Sequence, residues 1–301
     1  NIINIYLNLG LIFGRDNLII YFSNFDIPFV KNIGLLWTFI PFPEMGIRGA
    51  ALGTVIASFL SFSCFFLYYF SEDIYTKFHL QKFRINFNNM NKHLKLSWPI
   101  IKREGTVMLG LTIFLAIIGM LGTIQLAAAN ILIRIYNISL MPALGIGAAC
   151  SSIVGYSLGK NNPKNAETSI KEGLKYNLLI MGTFACCFIL FTKPILSIFT
   201  SDLNLLKVTI PLLKFFAFIS ILDAIAITLM NALDGSGDVK FTSKITIIYM
   251  WIFIIPLTIL TGLYLNMNVW GPWLSWLAGF LYLVIMLMIR IYKGDWKTIK
   301  I

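Results

Sequence analysis

Residues 219–241 read ISILDAIAITLMNALDGSGDVKF. Two features stand out. Asp223 is an acid inside an otherwise apolar run of membrane-crossing length, and the run closes on the polar turn Asp234-Gly235-Ser236-Gly237-Asp238, followed by Lys240. An aspartate near the centre of a membrane span costs about 2.5–3.5 kcal/mol on insertion scales, so such residues face a cavity or a partner and mark ion or substrate pathways. Asp223 is therefore the first candidate site residue. A carboxylate offers hard oxygen ligands to Na+ and can also take up a proton.

The composition agrees with a membrane reading. Of 301 residues, 58% are apolar and only 12% are charged. A soluble domain carries roughly twice that share of charge. Runs of about 20 apolar residues, enough to cross a bilayer, occur at Met45–Phe70, Trp98–Leu121, Leu126 to about Leu158, Tyr176–Phe191 with a start near Gly173, Leu205–Leu233, Ile245–Leu265 and Val269–Ile291. A partial run covers about residues 1–13. The fold class is thus an all-α polytopic membrane protein with seven full spans and one partial span. The chain opens on Asn1 inside an apolar run, with no basic leader or small-residue cleavage site, so a fragment lacking its N-terminal portion is expected.

The net charge of +11 is accounted for by topology. Placing the loops alternately on two sides puts 17 basic residues on the side that holds Lys77–Arg103, Lys160–Lys175, Lys240, Lys244 and the tail. The other side holds six: Arg15, Lys31, Arg48, Lys193, Lys207 and Lys214. The positive-inside rule makes the first side cytoplasmic. No nucleic-acid partner is called for. Cys64, Cys150, Cys186 and Cys187 lie in apolar runs without metal-ligand spacing and read as small hydrophobes. No nucleophile–base set, zinc motif or phosphate loop is present, so the chain is not read as an enzyme, and neither a metal nor a cofactor is expected beyond a coupling ion.

Four regions are expected outside the spans: a long loop with interfacial pieces at 15–43, a polar loop at 71–95, a polar segment at 160–175 and a basic tail at 292–301. Gly49 and Gly53 on the span 45–70 allow close approach of another helix. Pro142 is expected to bend the span 126–158. Beyond Asp223, the polar residues within spans are Glu104, Asn130, Arg134, Tyr136, Asn137 and Asn231. Glu104 reads either as an interfacial charge beside Lys102 and Arg103 or as a second carboxylate reaching the same cavity. Asn130 and Arg134, four residues apart, share a helix face. Arg134 reads either as a structural counter-ion or as a cavity-lining base. Tyr136 and Asn231 read as interhelical hydrogen-bonding groups or as part of a substrate cavity.

Several segments resemble a known family. They are Asn4-Ile5-Tyr6-Leu7-Asn8, Gly46-Ile47-Arg48-Gly49-Ala50-Ala51-Leu52-Gly53, Leu126-Ala127-Ala128-Ala129-Asn130, Met141-Pro142-Ala143-Leu144-Gly145-Ile146-Gly147, Val154–Ala166 and Asn231–Lys240. In that order, over nearly the whole chain, they resemble helices five and six and the second lobe of the multidrug and toxic compound extrusion (MATE) family. The resemblance implies a MATE-like bundle of twelve helices in two lobes. Here residues 1–70 would close the first lobe, 71–95 would form a cytoplasmic inter-lobe loop, 96–291 would form the C-terminal lobe and 292–301 a cytoplasmic tail. It implies a monomeric antiporter in the inner membrane that exchanges Na+ or H+ for small organic, often cationic, substrates by alternating access. It places Asp223 at the family's helix-ten acid. Glu104 is the only acid of helix seven, nearer that helix's start than the family glutamate. Asp223 and Glu104 are the implied cation ligands, with Asn130, Arg134, Tyr136 and Asn231 as candidate cavity residues. The rival readings are a flippase for lipid-linked oligosaccharides, which would want a cationic cavity and finds only Arg134 within a span, and a truncated, inactive membrane protein.

Overall fold

A computed structural model of the chain describes residues 2–23, 41–70 and 87–299, and every regular element among them is helical. Seven helices are long and apolar enough to cross a membrane, and a shorter apolar helix covers Ile3–Phe13. The helices are α1 (Ile2–Phe13), α2 (Arg15–Ser23), α3 (Ile47–Tyr69), α4 (Phe87–Leu121), α5 (Thr123–Gly159), α6 (Pro163–Leu190), α7 (Thr192–Ser197), α8 (Leu203–Gly235), α9 (Val239–Tyr264) and α10 (Trp270–Lys293). The chain divides into two units, Asn1–Asn86 and Phe87–Ile301.

In the first unit α1 packs on α3 through the two glycines. A Cβ at Gly49 would lie 2.1 Å from the Leu11 carbonyl oxygen, and one at Gly53 would lie 2.2 Å from Asn8 Oδ1. Asn8 donates from Nδ2 to Asn4 Oδ1 (2.7 Å) and Thr54 Oγ1 (3.4 Å) across this seam. Part of the segment expected as loop at 15–43 is helical, because α2 occupies Arg15–Ser23. Residues 24–40 lie outside the described residues, as do 71–86.

The second unit is built on α8. Its N-terminus is capped by Asp202, whose carboxylate accepts from the Asn204 amide at 2.9 Å, satisfying one of the donors a helix start leaves free. Two-thirds of its apolar stretch is buried (67%), against 22–44% for the other spans of this unit, so α8 is the axis the others surround. It packs chiefly on α5 and α6 and then on α10. It ends as the turn at 234–238 requires. Gly237 takes φ +87°, and the Asp238 amide bonds back to the Leu233 carbonyl at 2.9 Å. A Cβ at Gly235 would lie 2.2 Å from the Ser151 carbonyl oxygen, so that glycine lets the end of α8 touch the backbone of α5.

Two helices, α4 and α6, are longer than their hydropathy shows. α4 begins at Phe87, so 87–95 is helix where a polar loop is expected. α5 runs through Pro142 without interruption. α6 begins at Pro163, taking in most of the polar segment 160–175. The α6 start has a local cause: Asn162 accepts from the Asn165 amide at 3.2 Å, and proline occupies the first helical position. It also has a periodic one. Ala166, Ile170, Gly173, Asn177, Met181, Ala185 and Phe188 are all buried. These steps of three and four are the signature of an amphipathic helix, and an averaged hydropathy hides it.

α9 departs from regular geometry. Tyr249–Ile254 and Ile259–Tyr264 are π-helical, on either side of Pro256. The tail is tied to the unit. Trp296 is fully buried and donates from Nε1 to the Ile291 carbonyl at 3.2 Å, Arg290 bridges Asp238 and Asp295, each at 2.6 Å, and Lys297 pairs with Glu167 on α6. Cys150 is buried, Cys187 is half-buried, and Cys64 and Cys186 are exposed.

Candidate functional site

Two groups of buried polar residues in the second unit contain candidate site residues. One group lies at the end of α8. Arg103, on α4 and buried, donates from Nη1 to both oxygens of Asp234 (2.9 and 3.3 Å) and to Thr242 Oγ1 at 3.2 Å. Its Nε meets Glu104 at 3.1 Å. The other group lies deeper and is centred on Asp223.

Asp223 is 5% exposed. Its Oδ2 accepts a hydrogen bond from the hydroxyl of Tyr136, on α5. No basic side chain bridges it among the described residues, so it is not one half of a structural ion pair. Burying a carboxylate without a counter-charge is costly. A proton or a metal cation would neutralise the group, and either one would remove the burial cost. Tyr249, at the start of the first π-helical segment of α9, lies within electrostatic reach of the same carboxylate.

An aromatic chain holds this arrangement. The ring of Tyr136 meets Phe216 edge-on at 5.7 Å, Phe216 meets Trp273 at 4.8 Å, and Trp273 meets Phe114 at 5.5 Å. These contacts link α5, α8, α10 and α4, and each adds some fraction of a kcal/mol to about 1.5 kcal/mol beyond its buried area. Beside them is a cavity of about 150 Å³, lined by Tyr136, Asn137, Phe216, Tyr249, Met250, Trp276 and aliphatic side chains. That is room for several waters and less than the roughly 300–1,000 Å³ of a drug-sized pocket.

The other expected site residues are placed as follows. Glu104 is exposed and meets Arg103. Arg103 in turn meets Asp234, eleven positions beyond Asp223 on α8, a rise of about 16 Å at 1.5 Å per residue. The structure therefore brings Glu104 to the outer group and not to Asp223. Asn130 is exposed, with its Nδ2 bonded to the Leu126 carbonyl. Arg134 is exposed too, and it sits about 200° around α5 from Tyr136, on the opposite face. Asn231 is half-buried, donates to the Ile227 carbonyl at 2.9 Å and lies against Gly147. Of the six residues, only Asp223 and Tyr136 are joined.

Two groups are not singled out by the sequence reading. Tyr249 is one tyrosine among apolar neighbours. Asn177, fully buried on α6, donates to Thr228 Oγ1 at 2.9 Å and points at the Ala143 and Ala224 carbonyls, joining α5, α6 and α8. Its position on the buried stripe of α6 is the signal that could have found it.

Fold and site together define a polytopic helical membrane protein whose innermost helix carries a buried acid with no basic partner among the described residues. The family model described as MatE matches residues 99–260, more than half of the chain. The chain belongs to the MatE family. It is similar to a protein of Thermotoga maritima named probable multidrug resistance protein NorM, with 25% identity over 299 residues that cover 99% of this chain and 59% of the relative. The protein of the same name from Bacillus subtilis is 25% identical over 291 residues, covering 93% of this chain and 62% of the relative. The chain thus spans about three-fifths of the length of these relatives. Among solved structures, a eukaryotic MATE transporter, AtDTX14, superposes with a TM-score of 0.78 at 17% identity, covering 98% of this chain and 60% of that one. An outward-facing multidrug resistance MATE family transporter gives 0.75 at 18% identity, covering 98% and 63%.

Proposed function

We propose that the complete protein is an ion-coupled multidrug antiporter of the inner membrane. It exports small organic, often cationic, compounds in exchange for Na+ or H+ by alternating access. Asp223 takes up the coupling ion, and Tyr136 holds the carboxylate. The observation that carries this reading is a buried acid on the central helix with no basic partner among the described residues. Ion binding there and substrate binding elsewhere are linked by a coupling free energy: the ion favours the state in which substrate is held weakly. The relatives named as multidrug resistance proteins support the substrate class. The excess of basic residues on one side supports a cytoplasmic C-terminus. A monomer with no organic cofactor is consistent with this assignment.

Glu104 is left out of the coupling site because it pairs with Arg103 at the outer group. The flippase alternative has little support. Arg134, the base that reading would rely on, lies on the face of α5 away from Tyr136 and Asp223.

The test is efflux by proteoliposomes holding the protein expressed from the complete reading frame, with Na+ and pH gradients imposed separately. Asp223→Asn is expected to abolish the ion dependence. An unchanged ion dependence in that variant would remove Asp223 from the mechanism.

A further inference from the structure

The first half of α6 carries its lysines in a line. Lys164, Lys171 and Lys175 fall within about 40° of one another around the helix. All three are exposed, and they lie about 150° around the helix from the buried stripe of Ala166, Ile170, Gly173 and Asn177. The line continues as Leu178, Leu179 and Gly182, each within about 60° of Lys164. Both leucines are exposed, and a Cβ at Gly182 would meet nothing within 4 Å. A basic strip therefore runs directly into an uncovered apolar one.

The lysines are short of counter-charge. Residues 160–175 hold four lysines against two acids. Glu167 is held by Lys297 of the tail, and Glu172 lies 3.9 Å from Lys175. No carboxylate bridges Lys164 or Lys171 among the described residues. α5, which packs on α6, ends in a similar way. Ile153 and Tyr156 are exposed, and Lys160 Nζ stands 4.4 Å over the Tyr156 ring. Asn165 Nδ2 donates to Ser157 Oγ at 2.8 Å, so Tyr156 is level with the start of α6. The exposed ring of Tyr176 marks the other end of the lysine strip. Tyrosines are enriched at the headgroup level of a bilayer, and the three lysines lie between these two.

We propose that this strip binds an anionic phospholipid. Lys164, Lys171 and Lys175 hold the phosphate, with Lys160 at the turn that precedes them, and an acyl chain runs along Leu178, Leu179 and Gly182. A soluble anion would use the charges and leave the apolar stretch bare; a phospholipid uses both. The inference is independent of the assignment of Asp223.

The experiment uses the protein from the complete reading frame in a neutral detergent. Thermal unfolding is followed as dioleoyl phosphatidylglycerol is added, with dioleoyl phosphatidylcholine and glycerol 3-phosphate in separate arms. Phosphatidylglycerol is expected to raise the unfolding temperature with a definite half-maximal concentration, and the other two are expected to have no effect. A lysine beside anionic lipid is worth about fivefold in affinity. Lys171→Gln is therefore expected to raise the half-maximal lipid concentration about 5-fold, and K164Q/K171Q/K175Q at least about 30-fold. K193Q/K207Q/K214Q removes the same charge from three lysines exposed elsewhere and is expected to leave that concentration unchanged. Lys171→Gln alone decides the matter if the triple variant is unstable. Equal shifts in the two triple variants would overturn the site in favour of general attraction to net charge. An unmoved concentration in Lys171→Gln would overturn it as well. Equal stabilisation by phosphatidylcholine would remove the role of charge, and equal stabilisation by glycerol 3-phosphate would replace the lipid with a soluble phosphate; either result overturns the proposal.

Discussion

The hydroxyl of Tyr136 donates to the Oδ2 oxygen of Asp223 across 87 positions of sequence, joining α5 to α8. Among the described residues it is the one hydrogen bond to that carboxylate, so the two residues are expected to act as a unit. Tyr136→Phe leaves a buried acceptor unpaired and is expected to lower stability by about 1–3 kcal/mol. In the Asp223→Leu background the same change is expected to cost much less. A double-mutant cycle on thermal unfolding in detergent checks this. Additive effects would show that the bond contributes nothing.

Glu104→Gln is expected to leave the Na+ and pH midpoints of efflux unchanged. The side chain is exposed and meets Arg103, away from Asp223. A shifted midpoint would bring Glu104 back into the coupling site.

Arg103→Ala is expected to be strongly destabilising. The guanidinium is buried and holds Asp234 through both carboxylate oxygens. Removing one partner of a buried pair costs about 3–5 kcal/mol. Arg103→Lys is expected to rescue only part of this, because an ammonium does not reproduce the planar donor geometry. Unfolding temperatures of the three proteins decide the order.

Gly235→Ala and Gly145→Ala make a matched pair. A Cβ at Gly235 would lie 2.2 Å from the Ser151 carbonyl oxygen, so α8 must move off α5; one at Gly145 meets nothing within 4 Å. The first is expected to cost at least about 1–3 kcal/mol. The second is expected to be neutral or to stabilise the helix by up to about 1 kcal/mol. Equal effects in thermal unfolding would contradict the α5–α8 contact.

Trp296→Ala is expected to release the tail. The indole is fully buried beyond the last span, and truncating such a side chain costs about 3–5 kcal/mol. Limited proteolysis near Gly294 is expected to be faster in the variant, and equal cleavage rates would show that the tail is not held.

The spans themselves were legible in the chain. Seven apolar runs read from 45 onward correspond to seven helices, and the Asp234–Asp238 turn ends α8 as its glycines require. These are local properties. A run of apolar side chains determines by itself whether a segment can cross a bilayer, and a residue with positive φ near a polar cluster determines where a helix stops. The cost of Asp223 was also local, since no apolar neighbour can hydrogen-bond a carboxylate. The start of α6 at Pro163 escapes an averaged hydropathy for the converse reason: its buried stripe is periodic and disappears on averaging.

Sequence alone thus determined what crosses the membrane, in what order, and which acid is out of place. Tertiary structure decided what that acid meets. Tyr136 was one of several polar residues within spans, and Tyr249 was unremarked. Glu104 ranked second as a carboxylate yet pairs at the outer group with Arg103, about 16 Å along α8 from Asp223. The physical reason is helix rotation. A residue's partner depends on which way its helix is turned and which neighbour lies across from it. Packing of α5, α8 and α9 around the aromatic chain sets both, and neither is written in any single segment.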